Sequence, residues 1–118
     1  MRMWNVDPRL LCRQHLLGEH LEMHMFQGEV RKGVSLKGYI RKGLVEVHNI
    51  RKRHDILSEE LLRRGYKHNS PMYPAPFYKA GAVDQATSIR ELCSRCTRCK
   101  ENIKQDFEYK IFRISEYI

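Results

Sequence analysis

His15, Glu19, Glu22 and Phe26 recur at intervals of four, three and four residues, so a helix would set them in line on one face. Two carboxylates and an imidazole in that arrangement can do acid–base work. Glu22 is the sharpest candidate, because a basic segment follows it and a carboxylate there can act as general base or stabilise a cation. The other histidines are less specific. His20 and His24 are one turn apart, but the His-Glu-x-x-His order of a zinc protease is missing. They read as surface histidines, and His15 as a group that orients its neighbours. Cys93, Cys96 and Cys99 form a C-x2-C-x2-C string with Cys12 far away in the chain. Zinc wants four ligands, commonly as two pairs separated by a loop. The triplet falls within a predicted helix, with Cys96 and Cys99 on its apolar stripe, so the cysteines read as buried reduced thiols and no metal is expected.

The elements that must position these groups follow from pattern and punctuation. Asp7-Pro8 signals an N-cap and first helical position, and the helix it opens should end before Gly28. Leu10, Leu17, Leu21 and Met25 form its expected core stripe, opposite the His15–Glu19–Glu22 face. Glycines at 28, 33, 38 and 43, three of them preceded by lysine, predict a loop-rich section over 28–43. Such loops let backbone amides approach phosphates while the lysines add charge. A second helix should run from about Asn49, with Ile50, Leu57 and Leu61 inward, a Glu59–Arg63 pair outward and Gly65 as its stop. Arg51, Lys52 and Arg53 occupy its first turn, where cations oppose the helix dipole, so a phosphate partner or a solvated face explains them better than helix stability. Residues 67–82, with three prolines, read as an extended connector. A third helix should begin between Asp84 and Ser88, with Ser88 and Glu91 as a capping box, and carry Ile89, Leu92, Cys96, Cys99 and Ile103 in one stripe. From Phe107 to Ile118 an irregular aromatic tail, with Lys110 and Arg113, either packs on the core or offers rings to stacked bases. The expected fold is therefore all-α, a single domain over residues 1–118 with about three helices.

Composition limits what such a domain can do. The chain has 118 residues and a net charge of +8, with 42% hydrophobic and 31% charged residues. This suits one globular core and argues against a disordered tail. No apolar stretch approaches the ~18 residues that span a bilayer, and the N-terminus lacks a signal-peptide core, so a cytosolic protein without a membrane partner is expected. Residues 29–67 carry a net +6, whereas residues 1–28 are neutral. A positive field concentrated there suits a polyanion, with nucleic acid foremost.

The sequence also resembles the pyrimidine-dimer DNA glycosylase/AP lyases of the phage endonuclease V type. The likeness starts at Gln14-His15-Leu16, continues through Glu19 and Glu22, and reaches Gly28, Val30, Arg31, Lys32 and Val34. It resumes at Arg51-Lys52-Arg53, passes through Leu61 to Tyr66, and extends to the Glu108-Tyr109-Lys110-Ile111-Phe112 segment. The resemblance implies a compact helical enzyme that acts on double-stranded DNA, with no cofactor, as a monomer in the cytoplasm (a host cell's if phage-encoded). It implies that the α-amine of Met1 attacks the sugar C1′, releases the base through a Schiff base, and that Glu22 assists the β-elimination that nicks the strand. It places Arg2, Gln14 and His15 near the lesion, and Arg31, Lys32, Arg51, Lys52, Tyr109 and Lys110 against DNA. An α-amine ordinarily titrates near ~7.7–8.0, well below a lysine, which suits a nucleophile at neutral pH. Met1 stands where the family has threonine, Leu21 and Met25 stand where it has arginines, and the middle section is shorter. The substrate could thus be a pyrimidine dimer or another damaged or modified base. Two rival readings are a non-catalytic DNA-binding module and a metal-dependent nuclease built on His15, Glu19, Glu22 and the other histidines.

Overall fold

The computed structural model describes residues 1–115, with side chains through Ile111. Five helices form: α1 (Arg13–Arg31), α2 (Lys37–Arg41), α3 (Ile50–Arg63), α4 (Gln85–Arg95) and α5 (Thr97–Ser115), with 3-10 turns at Pro8–Leu10 and Val47–Asn49. Among the described residues there is no strand, and the all-α class is as expected. No helix is long and apolar enough to cross a membrane.

Asp7 and Pro8 do punctuate the chain, but they open the 3-10 turn, where the Asp7 carboxylate accepts the Arg9 amide at 3.0 Å. The long helix starts later, at Arg13, with the Cys12 sulfur as its cap. It also runs on past Gly28. Its buried face is not the expected one. Leu16, Glu19, Met23, Phe26 and Val30 point inward, while Leu17, Leu21 and Met25 are exposed. The inward set keeps the alternating three- and four-residue spacing of a helix seam. A carboxylate sits within that seam because a partner on α3 neutralises it.

α3 packs along α1 and behaves largely as predicted. Ile50, Leu57 and Leu61 are buried, and Gly65 follows with φ 89°, a left-handed conformation that ends the helix cheaply only with glycine. The surface pair differs. Arg63 donates to Glu60, not Glu59, at 2.7 Å. Glu60 is buried because Arg64 joins it at 2.7 Å while also donating to the carbonyls of Pro8 and Leu11. That knot holds the first 3-10 turn against the end of α3.

The expected loop over 28–43 contains α2, and only Gly33 and Gly43 take positive φ there. The connector after α3 has no helix or strand over residues 67–82. It crosses back at Gly81, where a Cβ would lie 2.1 Å from the Val45 carbonyl oxygen, so no larger residue fits. This close approach lets the Val47 amide donate to Ala80 at 2.9 Å.

α4 is capped by Asp84, which accepts from the Thr87 amide at 3.0 Å; Ser88 is fully buried and caps nothing. The single helix expected through Ile103 is broken at Cys96, whose φ of −137° and ψ of 113° are extended. The tail expected to be irregular is helical instead, as α5 continues through Phe107, Tyr109 and Ile111, all of them exposed. The side chains of Phe112 and Arg113, and residues 116–118, lie outside the described residues.

Candidate active site

Chain termini commonly fray. This one is held by three consecutive amides. The Arg2 N–H donates to Glu22 Oε2 at 3.3 Å, Met3 N–H to the Leu44 carbonyl at 2.7 Å, and Trp4 N–H to Glu19 Oε2 at 3.0 Å. The side chains of Met3, Trp4 and Val6 are buried in the core. Residues 1–6 are therefore an ordered internal segment laid across α1. The α-nitrogen of Met1 is left 3.9 Å from Glu22 Oε1, within ion-pair range but beyond a direct hydrogen bond.

Met1 and Glu22 line a cleft of about 680 Å³. Gln14, His15 and Gly18 continue its α1 wall, and Lys42 and Arg95 bring positive charge from two other elements. Gly18 lies one helical turn before Glu22, and nothing lies within 4 Å of where its Cβ would be, so the space over the carboxylate is open. Trp4 closes the inner wall, with the His15 ring edge-on at 5.9 Å between centroids. The Arg2 guanidinium stacks 3.7 Å from the Trp4 ring, pairs with Glu91 on α4 and reaches Ser88 at 3.4 Å. Arg95 donates to the same Glu91 at 3.0 Å. Arg2 thus belongs to the cleft wall and joins the N-terminal segment to α4.

Glu19 plays a different part from its neighbour Glu22. Arg53 of α3 donates to both of its oxygens, at 2.6 and 2.9 Å, and Trp4 N–H takes a third bond. Arg53 also donates to the Val6 carbonyl at 2.7 Å. The carboxylate is nearly inaccessible and fully committed, which removes it from the metal-nuclease arrangement of His15, Glu19 and Glu22. Arg53 is no phosphate ligand; its side chain is buried.

The other basic candidates lie outside the cleft. Arg31 and Lys32 are exposed at the end of α1, and Arg51 and Lys52 are exposed at the start of α3 beside a separate hollow with His48 and Asp55. On α5, Tyr109 and Lys110 are exposed, with Lys110 paired to Asp106 at 3.0 Å. Lys42, Arg95 and Glu91 were missed. Lys42 carried a signal in its lysine–glycine repeat, whereas Arg95 and Glu91 sit in an ordinary charged helix and carried none.

Among the described residues, two groups of four side chains could each reach a common ion: Cys12, His15, Cys96 and Cys99, and His20, His24, His54 and His68. His20 and His24 are not the surface histidines expected from sequence. They pack against His54 and His68, and their Nε2 atoms are buried without a hydrogen-bond partner. Burial first, then the neighbouring imidazoles, push His20 down to about 4 and His24 in the same direction.

No curated protein and no solved structure matches the chain. The family model for pyrimidine dimer DNA glycosylase matches residues 1–74, the stretch that contains the N-terminal segment, Glu22, α1 and α3. A match over more than half of the chain, including the N-terminal segment and α1 but not the α4 wall of the cleft, settles membership: this chain belongs to the pyrimidine dimer DNA glycosylase family and is a DNA glycosylase of the repair type.

Proposed function

We propose that the chain is a DNA glycosylase with AP lyase activity that uses the Met1 α-amine as nucleophile on double-stranded DNA. The observation that carries this is the amine held 3.9 Å from Glu22 in an open, positively flanked cleft. Glu22 accepts a proton from the ammonium, leaving a neutral amine. The amine nitrogen bonds to C1′ as the glycosidic bond breaks, and the base leaves with the bonding pair and is protonated. Opening of the sugar ring at O4′ then yields the iminium. Loss of a C2′ proton expels the 3′ phosphate and nicks the strand. No cofactor takes part, and the enzyme acts as a monomer. The ordered terminus supplies the positioning, since an attacking atom must be held in place to gain its rate advantage.

The substrate is a pyrimidine dimer or another damaged or modified base. Leu21 and Met25 are exposed on α1 around Glu22, so the surface there is apolar where the family resemblance has arginines.

Borohydride reduction on a duplex with one abasic site tests the reading. A covalent adduct that maps to the Met1 amine, and that disappears when a Gly-Ser extension precedes Met1, is the expected result. An adduct on Lys42, the lysine that lines the cleft, would keep imine chemistry but reassign the nucleophile. Binding without any adduct or nicking would return the chain to a DNA-binding role.

A further inference from the structure

We infer that Cys12, His15, Cys96 and Cys99 form a structural zinc site that fastens α5 to the start of α1. The four side chains come from the two ends of the chain, yet their ligand atoms all lie within 4.8 Å of one another. Four ligands around zinc at ~2.3 Å from sulfur and ~2.0 Å from nitrogen place two sulfurs roughly 3.8 Å apart and sulfur and nitrogen slightly closer. Cys12 Sγ is 3.8 Å from Cys96 Sγ and 3.2 Å from His15 Nδ1. The sulfurs stand at non-bonded distance, close to one edge of a tetrahedron.

The ligand spacing agrees. Cys12-x-x-His15 and Cys96-x-x-Cys99 are two short pairs separated by a long intervening chain, the usual layout of a closed zinc site. Cys93, the third member of the sequence string, is not part of the group. The string therefore concealed the pairing by suggesting the wrong triplet.

Backbone donors meet all three sulfurs. Each of the three sulfurs accepts one backbone N–H: Cys99 from Cys12 at 3.2 Å, Cys96 from Cys99 at 3.4 Å, and Cys12 from His15 at 3.4 Å. Cys12 caps the start of α1 and Cys99 lies in the first turn of α5, both at positive helix ends, while Cys96 stands between the end of α4 and the start of α5. A zinc ion with three thiolates and one imidazole carries a net negative charge, and Arg13 and Arg98, neighbours of these cysteines in the chain, line a hollow together with Cys12 and bring positive charge there.

The site also accounts for a feature of the fold. Residues 92–100 contain neither glycine nor proline, yet the helix breaks at Cys96. The extended backbone there brings the Cys96 and Cys99 sulfurs to Cys12. The metal would clip α5, which lies beyond the family-matched segment, onto α1, and would fix the His15 ring against Trp4 at the edge of the cleft.

The test uses the full chain, produced with added zinc and purified without chelator or metal-affinity tag. One zinc per chain is expected by elemental analysis. Cobalt in its place should give the visible bands of a tetrahedral centre and a sulfur-to-metal absorption. Cys96→Ser and Cys99→Ser should lose the ion, whereas His15→Cys should keep it and strengthen the sulfur-to-cobalt band. The cobalt spectrum of the wild type and of His15→Cys decides the matter even where a serine variant fails to fold. A metal-free protein with four alkylatable thiols after dialysis against zinc would overturn the proposal, as would a disulfide between any two of these cysteines. So would an ion that survives Cys96→Ser but is lost in His54→Asn, since that metal would sit among the histidines.

Discussion

Glu22 holds Met1 from two directions: its Oε1 stands 3.9 Å from the α-nitrogen, and its Oε2 accepts the amide of the next residue at 3.3 Å. One carboxylate thus anchors the segment and faces the amine that the segment presents. Three residues earlier, Glu19 anchors Trp4 with equal directness but is closed off by Arg53. The division of labour between two glutamates on one helix is set by their partners.

Glu22→Gln should keep the fold and DNA binding, because an amide oxygen still accepts from Arg2. It should lower strand cleavage at an abasic site by a factor of ~10² or more, as for loss of an acid–base group. Single-turnover cleavage within roughly threefold of wild type would exclude Glu22 from the chemistry.

Arg31, Lys32 and Arg51 are exposed and lie outside the cleft. Their joint replacement by alanine should weaken binding to all duplex sequences alike. The slope of log affinity against log salt should flatten by roughly 0.9 for each phosphate that the protein no longer neutralises. An unchanged slope would show that these side chains face solvent in the complex.

Glu19→Gln leaves the Arg53 guanidinium buried without its charge partner. Breaking such a pair costs about 3–5 kcal/mol, so the urea midpoint should fall steeply with little change in m. A loss below about 1 kcal/mol, the range of an exposed pair, would mean that the two groups are solvated.

Acid should unfold the protein earlier than carboxylates alone require. His20 is held down to about 4 when folded, against ~6.5 when unfolded, so the unfolded state binds more protons between those values. Its contribution is present in full above ~6.5 and is lost as pH falls toward 4. His24 on α1, His54 and Asp55 on α3, and His68 beyond it face the same cluster. Denaturation midpoints should decline between about pH 6.5 and 5, and His20→Asn should flatten the decline. A midpoint constant over that interval would contradict the burial of this imidazole.

Where local pattern and tertiary packing agree, the sequence sufficed. Ile50, Leu57, Leu61 and Gly65 describe one face and one stop of α3, and both follow from helical period and left-handed backbone alone. Net charge and its concentration after residue 28 were equally legible, because each depends on residue type and position alone; a role for Glu22 beside the Met1 amine came only from the family resemblance. The register of α1 was not. Leu17, Leu21 and Met25 make an acceptable apolar stripe, and only the arrival of Arg53 from α3 makes it favourable to bury Glu19 and turn that stripe outward. Residue 53 reaches residue 19 through the fold, and a buried charge is tolerable only with such a partner. The ends of the chain behave in the same way. Cys12 and Cys96 are 84 positions apart and 3.8 Å apart at sulfur, and a helix break without glycine or proline joins them. Helical period and caps are local properties of the chain; the pairing of groups on separate elements is set by how those elements pack.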